Sequence, residues 1–359
     1  MIEELKFVKS ELQKREKEDE QALIQFNTDS IIESLIYQKL LFEGLNINQL
    51  LDFINKSGYS LDRNQVYNLL NRMKSRINIE NGTFSLSPTY KIVAPKVNEN
   101  GVFDIGLTPG TKRYDILLVS DYHLKEMNEK IITSTNMIYD YCACHDINLV
   151  LNLGDFFDHI GGGSDLENAT ANYRLAESVI SLLPKGTGVY QAILGGNHDR
   201  RVLKHGFDHI ELITREREDF INLGYKHAIV TLNGSKSVLN SFDLHHPSGM
   251  SFDLGLGNEG VDSDNILGYL NDLYSEIGRS RNDSFVDLFG HTHKSQYNFM
   301  DSYCFIPSFF EGKNRKGACH LRIYLDEETQ IKYMIFMPLS ITDKFTKQTE
   351  IVYQKMFTR

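Results

Sequence analysis

Residues 189–201 read VYQAILGGNHDRR, an apolar run that turns on two glycines and then presents five polar residues in a row. The first half has the Val, Ile and Leu content of a strand covered on both faces. The second half is either a solvated turn or part of a site where an amide, an imidazole, a carboxylate and two guanidinium groups act on one substrate. The same arrangement occurs four more times. DILLVS (115–120) ends in Asp121-Tyr122-His123, and NLVLNL (148–153) ends in Gly154-Asp155-Phe156-Phe157-Asp158. VLNSFDL (238–244) ends in His245-His246-Pro247, and SFVDLF (284–289) ends in Gly290-His291-Thr292-His293. Ligands in open α/β sheets gather outside one set of strand ends, so five such ends on one edge would bring these residues together. Gly154, Gly196 and Gly290 each stand directly before a ligand type, where glycine permits a tight exit and a close backbone approach.

The residue types point to metal chemistry. Asp121 and Asp155 supply hard anionic oxygens, whereas His123, His246, His291 and His293 supply imidazole. That mixture suits Mn, Fe, Zn, Co or Ni better than Mg or Ca. It is more than one ion needs, so the set predicts two divalent ions roughly 3.5–4 Å apart, a clamp for a phosphoryl oxygen. One carboxylate must bridge them, and Asp155 is the natural candidate. Either His245 or His246 takes the fourth block's place, because strand alternation lets only one of them face the ions.

Composition sets the frame for this chemistry. The 359 residues are 41% hydrophobic and 24% charged, long enough for a main domain with a full core and a smaller one. No stretch approaches the ~20 consecutive apolar residues of a membrane span, and MIEELKFVKSELQKREKEDE at the start has no signal-peptide core. The four cysteines read as reduced thiols, with Cys142 and Cys144 too close for the usual zinc or redox spacing. A cytoplasmic, membrane-free enzyme is therefore the expectation. A formal net charge of −10 argues against a broad basic surface that coats nucleic acid. It leaves room for a local basic groove.

Along the chain, residues 1–27 form a charged helical segment, with Leu5, Val8 and Leu12 on a short seam. Residues 28–90 read as three capped helices and a hairpin. Asn46 or Asn48 caps the second helix, Ser60 or Asp62 opens the third, and Asn81-Gly82 turns the hairpin. This order is winged-helix-like. Arg63, Arg72, Lys74 and Arg76 on or near the third helix make it either a DNA contact or a docking module with solvated charges. Residues 91–113 read as a linker, 114–345 as the α/β catalytic domain and 346–359 as a C-terminal tail. The oligomeric state is not legible here.

Taken in order, Asp121-x-His123, Gly154-Asp155-x-x-Asp158, Gly196-Asn197-His198-Asp199, a lone His after a strand and Gly290-His291-x-His293 resemble the calcineurin-like metallophosphoesterases. The resemblance covers about residues 114–340. It implies a four-layer αββα metallophosphoesterase sandwich preceded by the small helical winged-helix-like domain. It also implies one metal on Asp121, His123, Asp155 and His293, and another on Asp155, Asn197, His246 and His291, with Mn favoured. His246 is preferred to His245 because HHPSG resembles the His-Pro-Gly form of some members, which leaves His245 as a structural or surface residue. By the same resemblance His198 faces substrate as the acid for the leaving oxygen, with Asp199 orienting its imidazole and Asp158 in support. Arg201, with Arg200, falls where related phosphatases hold phosphate, and His159 near where repair nucleases of the superfamily reach substrate. His159 also departs from the protein phosphatases, which carry arginine there. The implied reaction is attack of a metal-bridging hydroxide on a phosphodiester of nucleic acid or a nucleotide. A phosphomonoesterase, or a DNA-bound regulator using the fold as a scaffold, are the alternatives.

Overall fold

The computed structural model describes residues 44–72, 77–86, 96–97, 101–107, 111–234, 237–247, 263–293, 295–309, 317–328, 330–341, 345–347 and 350–354, with five positions between 32 and 40. The charged segment 1–27, and most of the first helix expected after it, lie outside the described residues. The chain divides into two compact units, residues 1–91 and 92–359.

In the first unit, β1 (Leu45–Asn46) leads into α1 (Ile47–Lys56), followed by α2 (Arg63–Arg72), β2 (Ile77–Glu80) and β3 (Thr83–Leu86). Asn46 is the cap of α1: its side chain accepts from the amides of Asn48 and Gln49, and Gln49 accepts from the Asn46 amide in return. Asp62 and Gln65 make the same reciprocal pair ahead of α2, which decides for Asp62 over Ser60. The strands form a small sheet ordered β1-β3-β2, closed by the Asn81-Gly82 turn, with both of those residues at positive φ. Leu50, Ile54, Val66, Leu69, Leu70 and Phe84 bury one core. Arg63 donates to Asn48 Oδ1 within this unit. Lys74 and Arg76 lie outside the described residues.

The second unit runs β4 (Lys96–Val97), β5 (Val102–Ile105), β6 (Arg113–Val119), α3 (Glu129–His145), β7 (Leu149–Asn152), α4 (Asp165–Leu182) and β8 (Tyr190–Gly195). A 3-10 turn (Asp199–His205) precedes α5 (His209–Glu216), β9 (Phe220–Tyr225), β10 (His227–Leu232) and β11 (Ser241–His245). Next come α6 (Ser263–Glu276), β12 (Asp287–Phe289), β13 (Gln296–Asn298), β14 (Tyr303–Phe305) and β15 (Gly317–Leu325). The unit closes with β16 (Ile331–Ile341), β17 (Phe345–Lys347) and β18 (Ile351–Tyr353). One sheet is ordered β17-β16-β15-β6-β7-β8-β9 with β18 on β16, and the other β13-β14-β12-β11-β10-β5-β4. Neighbours β6 to β9 run parallel, as do β11, β12 and β14, so the predicted polar blocks leave the two sheets at strand C-terminal ends.

Strand alternation builds the layers. Ile116 and Leu118, Leu149 and Leu151, and Ala192 and Leu194 point into the core shared with Phe242, Leu244 and Leu288 of the second sheet. Leu117, Val119, Val150 and Ile193 point the other way, onto Ile138, Val179 and Ile213 of the helices α3 to α5. Behind the second sheet, Ile266, Leu270 and Tyr274 of α6 pack on Phe289, Tyr303 and Phe305. The result is a four-layer αββα sandwich. The segment 91–113, expected as a linker, supplies β4 and β5 to the second sheet, because Phe103 and Ile105 are fully buried in the shared core. Likewise β18 holds the expected tail: Tyr353 is buried and its hydroxyl donates to the Phe285 carbonyl. Among the described residues, no helix is long and apolar enough to cross a membrane.

His209, at the start of α5, ties this packing to pH. Its ring stacks on Phe157, its Nε2–H donates to the Asn172 carbonyl, and its buried Nδ1 has no hydrogen-bond partner. Protonation would add a second N–H with nothing to receive it, and burial pushes the imidazole down to about 4. The folded value lies below the unfolded one of ~6.5, so the unfolded chain binds more protons between those limits. Stability is therefore full above about pH 6.5 and falls as pH drops towards 4, by up to about 3 kcal/mol from this residue. Urea unfolding at pH 7.5 and pH 5 checks this. His209→Gln, which keeps the donor to Asn172, should lose about 2 kcal/mol less than the parent over that interval.

Candidate metal centre

The backbone pays for the site before any side chain is considered. Asp121, His123, Asp155, His291 and His293 all stand at positive φ, between 48° and 79°. Such conformations cost an L-residue free energy and collect at functional sites. They are held by a backbone lattice between strand ends: the amide of Asp121 donates to the Gly154 carbonyl, and that of His123 to the Asp155 carbonyl, each at 2.9 Å. The Asp121 carboxylate accepts from the Ser120 hydroxyl and, at 3.1 Å, from the His291 amide. Asp155 Oδ1 accepts from the His198 amide at 2.8 Å.

Three overlapping ligand groups result, one of which, His123, Asp155 and His198, joins the other two. One oxygen of Asp121 and one nitrogen each of His123 and His293 lie within 4.8 Å of one another, and so do the ligand atoms of Asp155, His246 and His291. The two groups adjoin through Asp155, whose Oδ2 is 3.2 Å from His246 Nε2 and 3.8 Å from His123 Nε2. Asn197 Oδ1 stands 3.2 Å from the same His246 nitrogen. His246 Nδ1 donates to the Leu153 carbonyl at 2.6 Å, which fixes the tautomer and leaves the Nε2 lone pair aimed at the cluster. His246 is fully buried on this side of β11 and His245 on the other, as the alternation requires; His245 is a buried residue, not a surface one.

The cluster fits a pair of cations. Asp121 Oδ1 is buried without a hydrogen-bond partner. The Nε2 atoms of His123 and His293 face each other at 3.1 Å, and the latter is 3.3 Å from Asp121 Oδ1. Burial alone would raise the Asp121 carboxyl, but His123 and His293 hold it well below the usual carboxylate range. Burial works against a charged His246, yet the charge of Asp155 carries its imidazole up to about 9. Burial and the neighbouring His246 push His291 down to about 4, so it is neutral and able to ligate. Cation binding then competes with a proton on His246, and a metal taken up near neutral pH displaces it.

Glycine makes the cluster compact. At Gly196 a Cβ would overlap Asp155 Oδ1 and come within 2.7 Å of His246 Nε2. At Gly154 the φ of 109° is open only to glycine, and a Cβ would overlap the His246 ring. Gly196→Ala is expected to displace Asp155 and His246 together and to lower metal-dependent activity by about 100-fold or more. Metal content measured beside activity, with circular dichroism to show the fold retained, checks this.

His198 does not pair with Asp199, contrary to the sequence expectation. The 3-10 turn carries Asp199 inward, where it is buried and accepts from the amides of Phe156, Phe157 and Gly196. It thus clamps the β7 exit loop to the β8 exit loop. Burial and the charge of Asp155 push its carboxyl up to about 7 against those amides. The imidazole partner is Asp158 instead: His198 Nδ1 donates to Asp158 Oδ1 at 2.7 Å, and Lys125 Nζ stands 3.1 Å from the other oxygen. Burial raises the Asp158 carboxyl, but its bonds to His198 and Lys125 bring it below the ordinary value.

A cavity of about 600 Å³ opens over the cluster, lined by Tyr122, Lys125, Asn128, Lys130 and Ile131 together with His123, Asp155, Asp158, His198, His291 and His293. Lys125 and Lys130 were not anticipated, since nothing local distinguishes them from solvated lysines. Of the expected substrate residues, Arg201 is exposed with Nη1 3.2 Å from His198 Nδ1. Arg200 is exposed, and His159 turns its Nε2 to His205 Nε2 at 3.2 Å. These three residues are not among those lining the cavity.

Similar solved structures include a predicted phosphoesterase from Streptococcus pneumoniae, at 12% identity and TM-score 0.33, covering 68% of this chain and 100% of that one. A dimetal phosphatase from Danio rerio matches at 11% identity and TM-score 0.37, over 68% and 99% of the two chains. The phosphoesterase YfcE of E. coli matches at 17% identity and TM-score 0.27, over 61% and 97%. No curated protein matches the chain. The sequence pattern of the calcineurin-like phosphoesterases matches residues 114–303, more than half the chain. The protein belongs to the calcineurin-like phosphoesterase family.

Proposed function

We propose that the protein is a dinuclear metal-dependent phosphodiesterase acting on nucleic acid or nucleotides. The observation that carries the reading is the pair of ligand groups that adjoin at Asp155, with His198 among the residues lining the cavity beside them. Asp121, His123, Asp155 and His293 would hold one ion, and Asp155, Asn197, His246 and His291 the other, with Mn²⁺ the favoured metal. When bound, the two ions supply the nucleophile and neutralise charge on the phosphoryl oxygens. His198, with Nδ1–H on Asp158, presents Nε2 to the leaving oxygen and gives it a proton. Asp158 holds that tautomer and orients the ring, while its bonds to His198 and Lys125 keep Asp158 ionised. Asp199 holds the two loops in register without touching substrate.

The diester reading rests on the space around this chemistry. A cavity of about 600 Å³ exceeds what one phosphate needs, and its wall combines Lys125 and Lys130 with Tyr122 and Ile131. That wall suits a group carrying both a ring and further negative charge. The sequence pattern of the first unit adds to the nucleic-acid reading, with Arg63, Arg72, Lys74 and Arg76 as its proposed contacts.

The test compares a phosphodiester and a phosphomonoester of one chromophore on metal-stripped protein with Mn²⁺ restored. Faster cleavage of the diester supports the reading. Preference for the monoester overturns it in favour of a phosphatase. Bound metal with no turnover of either ester, or of oligonucleotides, would favour a scaffold.

A further inference from the structure

We propose that His227, Asp243 and His245 form a third metal site, separate from the strand-end centre, that takes one divalent ion of borderline softness such as Zn²⁺. The three residues share the face of the second sheet that packs against α6. His227 and His245 are directly opposite each other on the antiparallel strands β10 and β11, and Asp243 is two residues before His245 on the same face. One ligand atom from each lies within 4.8 Å of the others. His246, next in the chain, turns to the opposite side, so the two sites lie back to back across one strand.

Two observations call for a cation here. First, His245 is fully buried, and its Nε2–H donates to Asp287 Oδ1 at 2.9 Å. That bond leaves the lone pair on Nδ1, which has no hydrogen-bond partner among the described residues. A carboxylate on the far nitrogen of a histidine is the arrangement that orients metal-ligating imidazoles. Second, two carboxylates are buried side by side: Arg279, with Nη1 3.0 Å from each Asp243 oxygen, pairs with Asp243, and Asp287 has His245 Nε2 as its nitrogen partner. The Tyr274 hydroxyl lies 2.7 Å from Asp243 and 2.5 Å from Asp287, but a single proton can serve only one carboxylate at a time.

A divalent ion would use the His245 lone pair together with an Asp243 oxygen. Arg279 and Tyr274 would hydrogen-bond the ligating Asp243, as partners of metal-bound carboxylates do. His227 Nε2, 3.4 Å from Asp243 Oδ2, keeps 12% of its side chain exposed and marks the route of entry. Imidazole and carboxylate donors together select Zn²⁺ and its neighbours over Mg²⁺ or Ca²⁺. The role is structural: an ion here would pin β10 to β11 directly behind His246.

The test is metal stoichiometry on the full chain, stripped with chelator, dialysed against Zn²⁺, desalted and measured by mass spectrometry. The parent is expected to hold three equivalents, Asp121→Asn/Asp155→Asn one, and His227→Gln two. His227→Gln keeps volume and a donor for Asp243, and the double variant does not depend on its folding. A double variant that holds none overturns the proposal and leaves the strand-end centre standing. A His227→Gln protein that folds and holds as many ions as the parent also overturns it. A parent holding one ion, kept in the double variant and lost in His227→Gln, sustains this site and overturns the two-metal reading instead.

Discussion

Asp155→Asn is expected to abolish metal-dependent hydrolysis, lowering kcat by at least about 10³-fold, or about 4 kcal/mol of barrier. The reason is position rather than charge alone. Asp155 reaches both ligand groups, with Oδ2 near His246 and His123 and Oδ1 fixed by the His198 amide. Asparagine keeps the volume and the bond to that amide but cannot bridge two cations. The fold should survive, because the substitution removes a buried carboxylate from a cluster that also holds Asp121 and Asp199. Metal content should fall together with activity. Normal metal content with lost activity would place the defect in substrate handling and contradict the bridging role.

His198→Ala is expected to leave metal content unchanged and to lower kcat by about 10²- to 10⁴-fold, the range of a positioned general acid. The loss should shrink for a substrate with a good leaving group, which needs no proton. The carboxylates that flank the turn should then separate. Asp158→Asn removes the partner of His198 Nδ1 and should slow turnover tenfold or more while moving the pH–rate profile. Asp199→Asn leaves the amides of Phe156, Phe157 and Gly196 with one acceptor oxygen in place of two. It should cost about 1–3 kcal/mol of stability in thermal or urea unfolding. If Asp199→Asn moves the pH profile and Asp158→Asn does not, the sequence-based pairing was correct and the geometric one is wrong.

That contrast marks where sequence reading ran out. The five strand-end blocks were legible because each is a local pattern: a buried run, a tight exit and a polar residue. Alternation within a strand showed only that one of His245 and His246 could face the cluster; the choice of His246 came from the resemblance of HHPSG to the His-Pro-Gly form. The partner of His198 was not legible, because Asp158 is 40 positions away and meets it only when two parallel strands lie in register. Asp199, adjacent in sequence, is carried inward by the 3-10 turn. Lys125 and Lys130 are short steps from the first block, yet only the exit path after His123 and the start of α3 bring them to the cavity wall. Residues 91–113 were read as a linker because prolines and glycines surround two short strands; Phe103 and Ile105 reveal themselves only once β5 pairs with β10. The positive φ angles at Asp121, His123, Asp155, His291 and His293 fall on Asp and His, types that tolerate this region better than most, yet nothing in the sequence singles out these five from the other Asp and His residues.

The proposed two-ion centre bridged by Asp155 is open to direct observation. Anomalous diffraction from crystals grown with Mn²⁺ tests it most directly. Two peaks roughly 3.5–4 Å apart with Asp155 between them are the expected result. A single peak at the strand ends, or a pair that Asp155 does not touch, would contradict it.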